Sequence, residues 1–447
     1  MDKVRYTALK ILREVNEKGS YINIALKKHL ERGGLDNRDA SFVSRLVYGT
    51  LENQEAIDKI IKDFVGKKNM NPWIKNIIRL GSYQILFMER VPDSAACNES
   101  VNLCMKIGLG SLKGFVNGVL RNISRKKGSL KILSDDSTDM EALSARHGFP
   151  LWLTRMWGME YGQESAQAIV KASHDPGWIT IRINTRRTYK EELVEKLKES
   201  GVVVQDGHYC ENALRIHGIG NIGQNQMFRK GLFTVQGESS ILVCRALDPK
   251  PGERIMDVCS APGGKALYIA ELMDMMGKVY AFDIHQHRVD LIKVNKNRLG
   301  AAIISEGMKD ARIFDPGFEG KMDRILIDAP CTGWGIIHKK PDIKLRIKEE
   351  NLNSLYDLQW EILKTCSRYV KEGGIMVYST CTINPVENHG IIDRFLIEHP
   401  EFALEDLGNM LPNGLKQAAI KGGMIQLIPG RDMIDGFFIA RLRRNGL

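Results

Sequence analysis

The sequence predicts a multidomain protein with an all-α N-terminal part, a small α+β middle part and a C-terminal α/β domain. Three observations lead to this prediction. The chain of 447 residues is longer than one domain usually is. Apolar residues recur at helical spacing through residues 1–128. From residue 236 onward, strand-like and helix-like segments alternate, which predicts a parallel sheet with helices on both faces.

The first predicted domain, residues 1–131, is helical. Segments 40–64, 73–88 and 95–107 repeat an apolar pattern with a period of about 3.6 residues, and prolines separate them. The pattern also occurs near the N-terminus, where five apolar residues share one helix face: Val4, Ala8, Ile11, Leu12 and Val15.

The basic charge of the chain is concentrated in this helical domain. Residues 1–131 contain 24 Lys and Arg against 13 Asp and Glu, a net charge of +11, whereas the whole chain carries +10. A basic module joined to a nearly neutral remainder is typical of proteins that bind nucleic acids. A solvated basic surface would give the same count, so the charge alone leaves both interpretations open.

A second domain, residues 145–235, is predicted to be a small α+β unit. A Ser- and Asp-rich linker, residues 132–144, is expected to precede it, and a Pro/Gly break falls at residues 174–177. The predicted elements that follow are a strand with alternating isoleucines, a helix and a short strand: Trp178–Asn184, Tyr189–Ser200 and Val202–Val204.

The third domain, residues 236–447, is predicted to be Rossmann-like. Its strands are expected to lie in one parallel sheet and are Arg254–Val258, Lys278–Phe282, Ala302–Ser305, Arg324–Ile327 and Ile375–Ser379. A further hydrophobic strand, Gly436–Leu442, closes the chain.

The cysteines and the apolar runs exclude several protein classes. None of the eight cysteines forms a C-x-x-C pair or has a His at zinc-finger spacing, so no metal site is predicted. No apolar run approaches the ~20 residues that span a bilayer. The charged N-terminus does not resemble a secretory signal, so a cytoplasmic protein with reduced cysteines is expected.

A glycine turn after the first strand of the third domain predicts a ligand cradle. Gly263 and Gly264 let the backbone approach a ligand, and the helix that follows offers free N–H donors. Asp283 lies 19 residues after Gly264, at the tip of the next strand, where a carboxylate can bind ribose hydroxyls. Because the pattern is not G-x-G-x-x-G, it favours an adenosine-containing ligand other than a dinucleotide. Asp310, after the third strand, suits either the adenine edge or a helix cap.

Asp328, Cys331 and Cys381 follow the fourth and fifth predicted strands. Ligands of open α/β sheets bind outside the carboxyl ends of the strands, so we expect these three side chains in one crevice. Two thiols and a carboxylate suit methylation of cytosine C5. A thiolate adding to C6 makes C5 nucleophilic, and an acid near N3 stabilises the charge that develops.

Three motifs in this order and spacing resemble the RNA cytosine-C5 methyltransferase family. They are CSAPGGK (259–265), DAPCTGWG (328–335) and STCTINPVEN (379–388). The N-terminal segments RDASFVSRLVYGT (38–50) and FVNGVLRN (115–122) look like the NusB-type helical RNA-binding domain of such proteins. The closing DGFFIARL (435–442) matches as well, so the resemblance covers nearly the whole chain.

The resemblance implies a cofactor, a substrate and a role for each site residue. The cofactor would be S-adenosyl-L-methionine, and the substrate 16S rRNA at a cytosine in the helix-31 loop, free or in an early small-subunit assembly intermediate. Cys381 would be the nucleophile, Cys331 would help to release the product, and Asp328 would lie beside cofactor and base. Asp283 would hold the ribose and Asp310 the adenine. The methionine part of the cofactor would lie against Cys259, Ser260, Ala261, Pro262, Gly263, Gly264 and Lys265.

Some positions depart from the family pattern. Ala266 replaces a frequent Thr, and Met308 and Lys309 precede Asp310 where Gly is commoner. Lys339 and Lys340 replace an Arg-His-like pair and keep the basic charge that suits RNA phosphates. A monomer without metal or membrane partners is expected. Four middle-domain residues are expected to guide RNA, with a solvated basic edge as the alternative: Arg182, Asn184, Arg186 and Arg187.

Three other interpretations remain open at the level of sequence. The substrate could be tRNA or 23S rRNA. A DNA cytosine-C5 methyltransferase would use Cys331 as its nucleophile, but the Ser-Thr-Cys-Thr turn around Cys381 favours the RNA type. A non-catalytic RNA-binding assembly factor would need neither Cys381 nor the glycine turn, and both are present.

Overall fold

The structure is a computed structural model that describes residues 2–66, 69–130, 140–173 and 178–446. The chain divides into two compact units. The first comprises Met1–Asp175 and Ile337–Ile347, and the second Pro176–Ile336 and Lys348–Leu447. Most of the expected linker and the whole break at 174–177 lie outside the described residues.

The first unit is helical around one apolar core. Helix α1 begins where the Asp2 carboxylate accepts the N–H groups of Val4 and Arg5, and ends at Gly19, whose φ is 65°. Its α-helices among the described residues are α1 Lys3–Lys18, α2 Ile22–Gly33, α3 Asn37–Glu52, α4 Gln54–Val65, α5 Pro72–Phe87, α6 Asp93–Lys106, α7 Lys113–Lys126, α8 Met140–His147, α9 Leu151–Tyr161 and α10 Gln163–Ala172. The predicted all-α character is confirmed, although segment 40–64 divides at Asn53 into two helices.

Residues 337–347 also belong to the helical unit, although they come much later in the chain. Lys344 is buried, and its Nζ donates to the carbonyl of His147 at 3.1 Å. Arg346 donates to the carbonyl of Gly19 at 2.9 Å. The segment that follows the DAPCTGWG motif is thereby anchored in the helical unit.

The second unit begins with a small antiparallel sheet in the strand order β2-β3-β1-β4. Its elements are β1 Ile179–Ile183, α11 Lys190–Glu199, β2 Val203–Asp206, β3 Ala213–His217, α12 Gln226–Arg229 and β4 Phe233–Val235. Ile181 and Ile183 are buried in its core, as the predicted alternation requires. The strands β3 and β4 were not predicted.

The rest of the second unit is built on a larger sheet in the order β11-β12-β13-β9-β8-β5-β6-β7, with β10 paired to β13. Its strands are β5 Arg254–Asp257, β6 Lys278–Asp283, β7 Ile304–Met308, β8 Met322–Asp328, β9 Val370–Thr380, β10 Phe402–Leu404, β11 Ala419–Lys421, β12 Met424–Leu427 and β13 Phe437–Arg444. Its α-helices among the described residues are α13 Glu238–Leu247, α14 Gly264–Leu272, α15 Gln286–Leu299, α16 Leu352–Ser367 and α17 Ile391–Glu398.

The topology of this sheet confirms the predicted Rossmann-like domain. Strands β5 to β9 are parallel, and β13 runs antiparallel to β9. The chain builds outward from β5 in both directions, so the carboxyl ends of β5, β6, β8 and β9 meet at a topological switch point. All predicted strands of this domain occur, although β7 begins at Ile304 rather than at Ala302. Among the described residues, no helix has the length and apolarity needed to cross a membrane.

The expectation that Arg182 guides RNA is wrong. Its side chain is 1% exposed and forms an ion pair with Glu271 of α14. Its guanidinium lies 4.3 Å from the ring centroid of Tyr268, also on α14. Asn184 is buried too and donates to the carbonyl of Gly231 at 2.9 Å. These two polar side chains therefore hold the small sheet together and fasten it to the larger domain.

Candidate active site

The predicted ligand cradle lies between β5 and α14. Gly263 has a φ of 95°, a conformation that favours glycine, and a Cβ there would lie 3.3 Å from Ile292 Cγ2. The turn is closed by Gly263 N donating to Ser260 O at 2.7 Å. Ser260 N donates to Phe282 O at 2.8 Å, which ties the cradle to the end of β6.

Buried polar atoms with incomplete hydrogen bonding lie at the end of β5, beside the cradle. Asp257 is fully buried, and the Ser260 hydroxyl and the Cys259 N–H face its carboxylate without forming a hydrogen bond of full geometry. Burial raises the pKa of Asp257 to about 7. Because buried polar groups are normally hydrogen-bonded, this part of the cradle fits a polar ligand.

Asp283 and Asp310 lie where the sequence places them, after β6 and β7. Asp283 is buried and accepts the N–H groups of Ala261 and His285, each at 3.3 Å. Its carboxylate therefore joins the tip of β6 to the glycine turn. The Arg312 guanidinium donates to Asp310 at 2.7 Å and holds the pKa of that carboxyl below its ordinary value. Binding of ribose and adenine by these two residues stays a prediction.

Asp328, at the end of β8, is held through both of its oxygens. Lys265 Nζ donates to Oδ2 at 2.7 Å, and Ser379 Oγ donates to Oδ1 at 2.9 Å. Burial alone would lower the pKa of Lys265, but the Asp328 carboxylate outweighs it and raises that pKa. The last residue of the CSAPGGK motif thus meets the first residue of the DAPCTGWG motif.

The two expected catalytic thiols are in contact. Cys331 Sγ lies 3.3 Å from Cys381 Sγ, and either thiol can be the donor. The hydrogen bond with Cys381, together with burial, raises the pKa of Cys331 well above its ordinary value. Because the sulfurs are in contact, the S–H of Cys331 is placed to donate to a thiolate at Cys381.

The loops that carry the thiols are the Cys331 loop, residues 329–336, and the Cys381 loop, residues 381–385. Gly335 N donates to Cys381 O at 3.1 Å, and Gly436 N donates to Gly335 O at 2.9 Å. A Cβ on Gly335 would overlap the Gly436 carbonyl, so this approach requires glycine. Gly436, which directly precedes β13, thereby supports the Cys331 loop, and Gly335 joins that loop to the Cys381 loop. These contacts give the DGFFIARL motif a structural reason.

One buried carboxylate links these loops and was missed at the level of sequence. Glu387 is fully buried and accepts hydrogen bonds from Thr332, Gln359 and Asn384. Glu387 lies inside the motif STCTINPVEN, so the resemblance contained the signal, but its burial depends on the fold. Gln359 lies in α16, outside all of the quoted motifs.

The fold and site define a Rossmann-like methyltransferase whose cofactor is S-adenosyl-L-methionine. Residues 244–443 match the family model described as 16S rRNA methyltransferase RsmB/F, residues 2–125 match the NusB family, and residues 149–223 match the ferredoxin-like domain of RsmF/B-like methyltransferases. The chain belongs to the 16S rRNA methyltransferase RsmB/F family.

Relatives and solved structures agree along the whole chain. The probable ribosomal RNA small subunit methyltransferase B of Bacillus subtilis is 37% identical over 99% of each chain. The ribosomal RNA small subunit methyltransferase B of Shewanella oneidensis is 31% identical over 98% of each chain. The crystal structure of a protein called PH0851 is 29% identical, with a TM-score of 0.84, and covers 99% of this chain and 98% of that one.

Proposed function

We propose that this protein transfers a methyl group from S-adenosyl-L-methionine to C5 of a cytosine in 16S rRNA through a covalent bond between Cys381 and C6. The observation that carries the proposal is the contact between Cys331 and Cys381 at 3.3 Å, at the same sheet edge as the Lys265–Asp328 pair. Two thiols and a carboxylate in one crevice suit adduct chemistry at a pyrimidine ring.

Cys381 begins the reaction as the thiolate. Its sulfur adds to C6 of cytosine, and the ring electrons then make C5 nucleophilic. The cofactor supplies an electrophilic methyl group to that carbon. Cys331 supports the thiolate because its S–H can donate to the Cys381 sulfur before attack.

Lys265 and Asp328 neutralise the negative charge that develops at N3 by supplying a proton. Lys265 donates to Asp328 at 2.7 Å, so a proton can pass from the ammonium through the carboxylate to N3 as the thiolate adds. Ser379, on the other oxygen of Asp328, orients the carboxylate. The pair thereby loses one positive charge, which balances the negative charge that the thiolate brings to the ring, and it regains the proton when N3 is deprotonated on product release.

Release of the product reverses the addition. Water takes the C5 proton, the C5–C6 double bond re-forms and Cys381 departs as a thiolate. The N3 proton returns through Asp328 to Lys265. The S–H of Cys331, adjacent to the departing sulfur, stabilises that thiolate. This gives the two cysteines different roles, as the resemblance implies.

The family and the relatives support 16S rRNA as the substrate, and the resemblance points to a cytosine in the helix-31 loop. The target base has to be unstacked for a thiol to reach C6, so a loop or a flipped-out nucleotide is required. The basic helical domain, residues 1–131, would supply phosphate contacts in free RNA or in an early assembly intermediate.

The substrate and the product can be tested in one assay. The protein is incubated with methyl-labelled S-adenosyl-L-methionine and unmodified 16S rRNA, 23S rRNA or tRNA, and the labelled nucleoside is identified and mapped. The proposal expects a single 5-methylcytidine in the helix-31 loop of 16S rRNA. Label only in tRNA or 23S rRNA would overturn the substrate, and a different methylated nucleoside would overturn the chemistry. Binding without methyl transfer would favour an assembly factor.

A further inference from the structure

Glu387 lies between the two loops that carry the thiols, and both of its carboxylate oxygens accept hydrogen bonds. Its Oε2 accepts from Thr332 N at 2.9 Å and from Gln359 Nε2 at 2.8 Å. Its Oε1 accepts from Thr332 Oγ1 at 2.6 Å and from Asn384 Nδ2 at 2.9 Å. The carboxylate is fully buried, so these four hydrogen bonds take the place of water.

The partners of Glu387 are the neighbours of the thiols. Thr332 directly follows Cys331, and Asn384 belongs to the Cys381 loop. The Gln359 amide that donates to Glu387 also donates to Pro330 O at 2.8 Å, so the chain is held on both sides of Cys331. Thr332 and Thr382 share a further hydroxyl contact of 2.7 Å.

The charge of Glu387 matters for this arrangement. An ionised carboxylate only accepts hydrogen bonds, and the Thr332 N–H and the two amide groups only donate at these positions. Burial raises the pKa of Glu387, and the hydrogen bonds from Thr332, Gln359 and Asn384 oppose that rise. A glutamine would place an N–H₂ group where a donor already points, and part of the network would be lost.

We propose that Glu387 is a positioning residue that holds Cys331 against Cys381 so that the methylated RNA is released from its covalent bond. This inference rests on the proposed function. Glu387 does not itself reach the substrate; it acts through Thr332 and Asn384 on the spacing of the two sulfurs. A displacement of Cys331 removes the S–H that stabilises the departing thiolate, whereas Cys381 can still add to C6.

The test compares Glu387→Gln with a matched buried carboxylate. Glu238 is 3% exposed and accepts the N–H groups of His208, Tyr209 and Cys210 at 2.6–2.8 Å, none of which belongs to a thiol loop. With full-length protein, 16S rRNA and S-adenosyl-L-methionine, two quantities are measured: turnover, and the RNA–protein adduct that survives denaturation. We expect Glu387→Gln to lower turnover about tenfold or more and to raise the adduct per methyl group transferred. Glu238→Gln should leave that ratio unchanged.

A second variant keeps the test valid if Glu387→Gln fails to fold. Thr332→Val keeps the carboxylate and removes one of its hydrogen bonds. We therefore expect a smaller rise in the adduct per methyl group transferred. If adduct and product fall in proportion in both variants, Glu387 only stabilises the fold and the inference is overturned. Cys381→Ala is run beside them. If it still transfers methyl groups, the proposed function fails, whereas an inactive Cys381→Ala with an unchanged ratio in Glu387→Gln overturns the positioning role alone.

Discussion

Asp328 lies where three motifs of the chain converge. Lys265 comes from the glycine turn, Asp328 from the end of β8 and Ser379 from the end of β9. Lys265 and Ser379 donate to the Asp328 carboxylate at 2.7 and 2.9 Å. Only Asp328 bonds to both of the others, so it links the glycine turn to the end of β9, which Cys381 follows. In the proposed mechanism, a carboxylate in this place controls the proton at N3 of the target base.

The first prediction concerns this carboxylate. Asp328→Asn removes the charge that Lys265 faces and the group that relays its proton. We expect the single-turnover rate of methyl transfer at saturating cofactor and RNA to fall by about 10²- to 10⁴-fold. Ser379→Ala is the control, because it removes one hydrogen bond and keeps the charge, so its loss should be much smaller. Equal rates for Asp328→Asn and the unaltered protein would remove Asp328 from the mechanism.

At the scale of elements, one buried ion pair joins the small sheet to the larger domain. Arg182 of β1 donates to Glu271 of α14, and its Nε donates to Gln236 Oε1 at 2.7 Å. Glu271 also accepts from Thr185 Oγ1 at 3.1 Å. Since α14 begins at the glycine turn, the pair fixes the small sheet to the helix that forms one side of the predicted cradle.

The second prediction follows from the burial of this pair. Removing one partner leaves an uncompensated charge, so Glu271→Leu should lower the free energy of opening of β1 and α14 by about 3–5 kcal/mol. The double variant Arg182→Met/Glu271→Leu should lose less, because no charge is left behind. Amide hydrogen exchange of the β1 and α14 peptides measures both. The exposed pair Lys196–Glu192 provides the control, and Glu192→Gln should leave exchange unchanged. Equal losses in the single and double variants would contradict this account of the pair.

At the scale of the whole molecule, the uneven charge is the main long-range feature. The net charge of +11 in residues 1–131 accounts for the whole excess of the chain. Three of the basic side chains, Arg121, Arg125 and Lys126, are exposed near the end of α7. Phosphate contacts by such residues release counterions and make RNA affinity depend steeply on salt.

The third prediction is that this dependence belongs to the helical domain. Changing Arg121, Arg125 and Lys126 to Gln in the full chain should weaken binding of 16S rRNA and reduce the slope of log affinity against log salt by about 0.7 per lost contact. Changing Arg368, Lys371 and Arg394 to Gln removes the same charge from the C-terminal domain and should reduce the slope less. The prediction would be contradicted if the RNA affinity of the unaltered protein did not depend on salt. It would also be contradicted if both triple variants reduced the slope of log affinity against log salt equally.

The three-part fold could be predicted because it rests on local patterns. Neighbouring residues are enough to predict the strand in which Ile179, Ile181 and Ile183 alternate with polar residues. The same holds for the strand, turn and helix around Gly263. The motifs likewise placed both thiols and Asp328 at the ends of neighbouring strands, where the structure has them.

The rest depends on partners that are distant in the chain. From the sequence, Arg182 is predicted to be an exposed basic residue. Its burial depends on its ion pair with Glu271, which lies 89 positions later in the chain. Glu387 binds Thr332, 55 positions earlier, so its position between the thiol loops follows only from the pairing of β8 with β9. Strands β3 and β4 have few residues, and their pairing with β1 rather than a strong local pattern defines them.

The covalent mechanism is tested by comparing Cys381→Ala with Cys331→Ala in the presence of 16S rRNA and S-adenosyl-L-methionine. Methyl transfer and the RNA–protein adduct that survives a denaturing gel are both read. We expect Cys381→Ala to be inactive and to form no adduct, whereas Cys331→Ala should accumulate an adduct that it releases slowly. The reverse pattern would make Cys331 the nucleophile, and unchanged methyl transfer in both variants would contradict a covalent thiol mechanism.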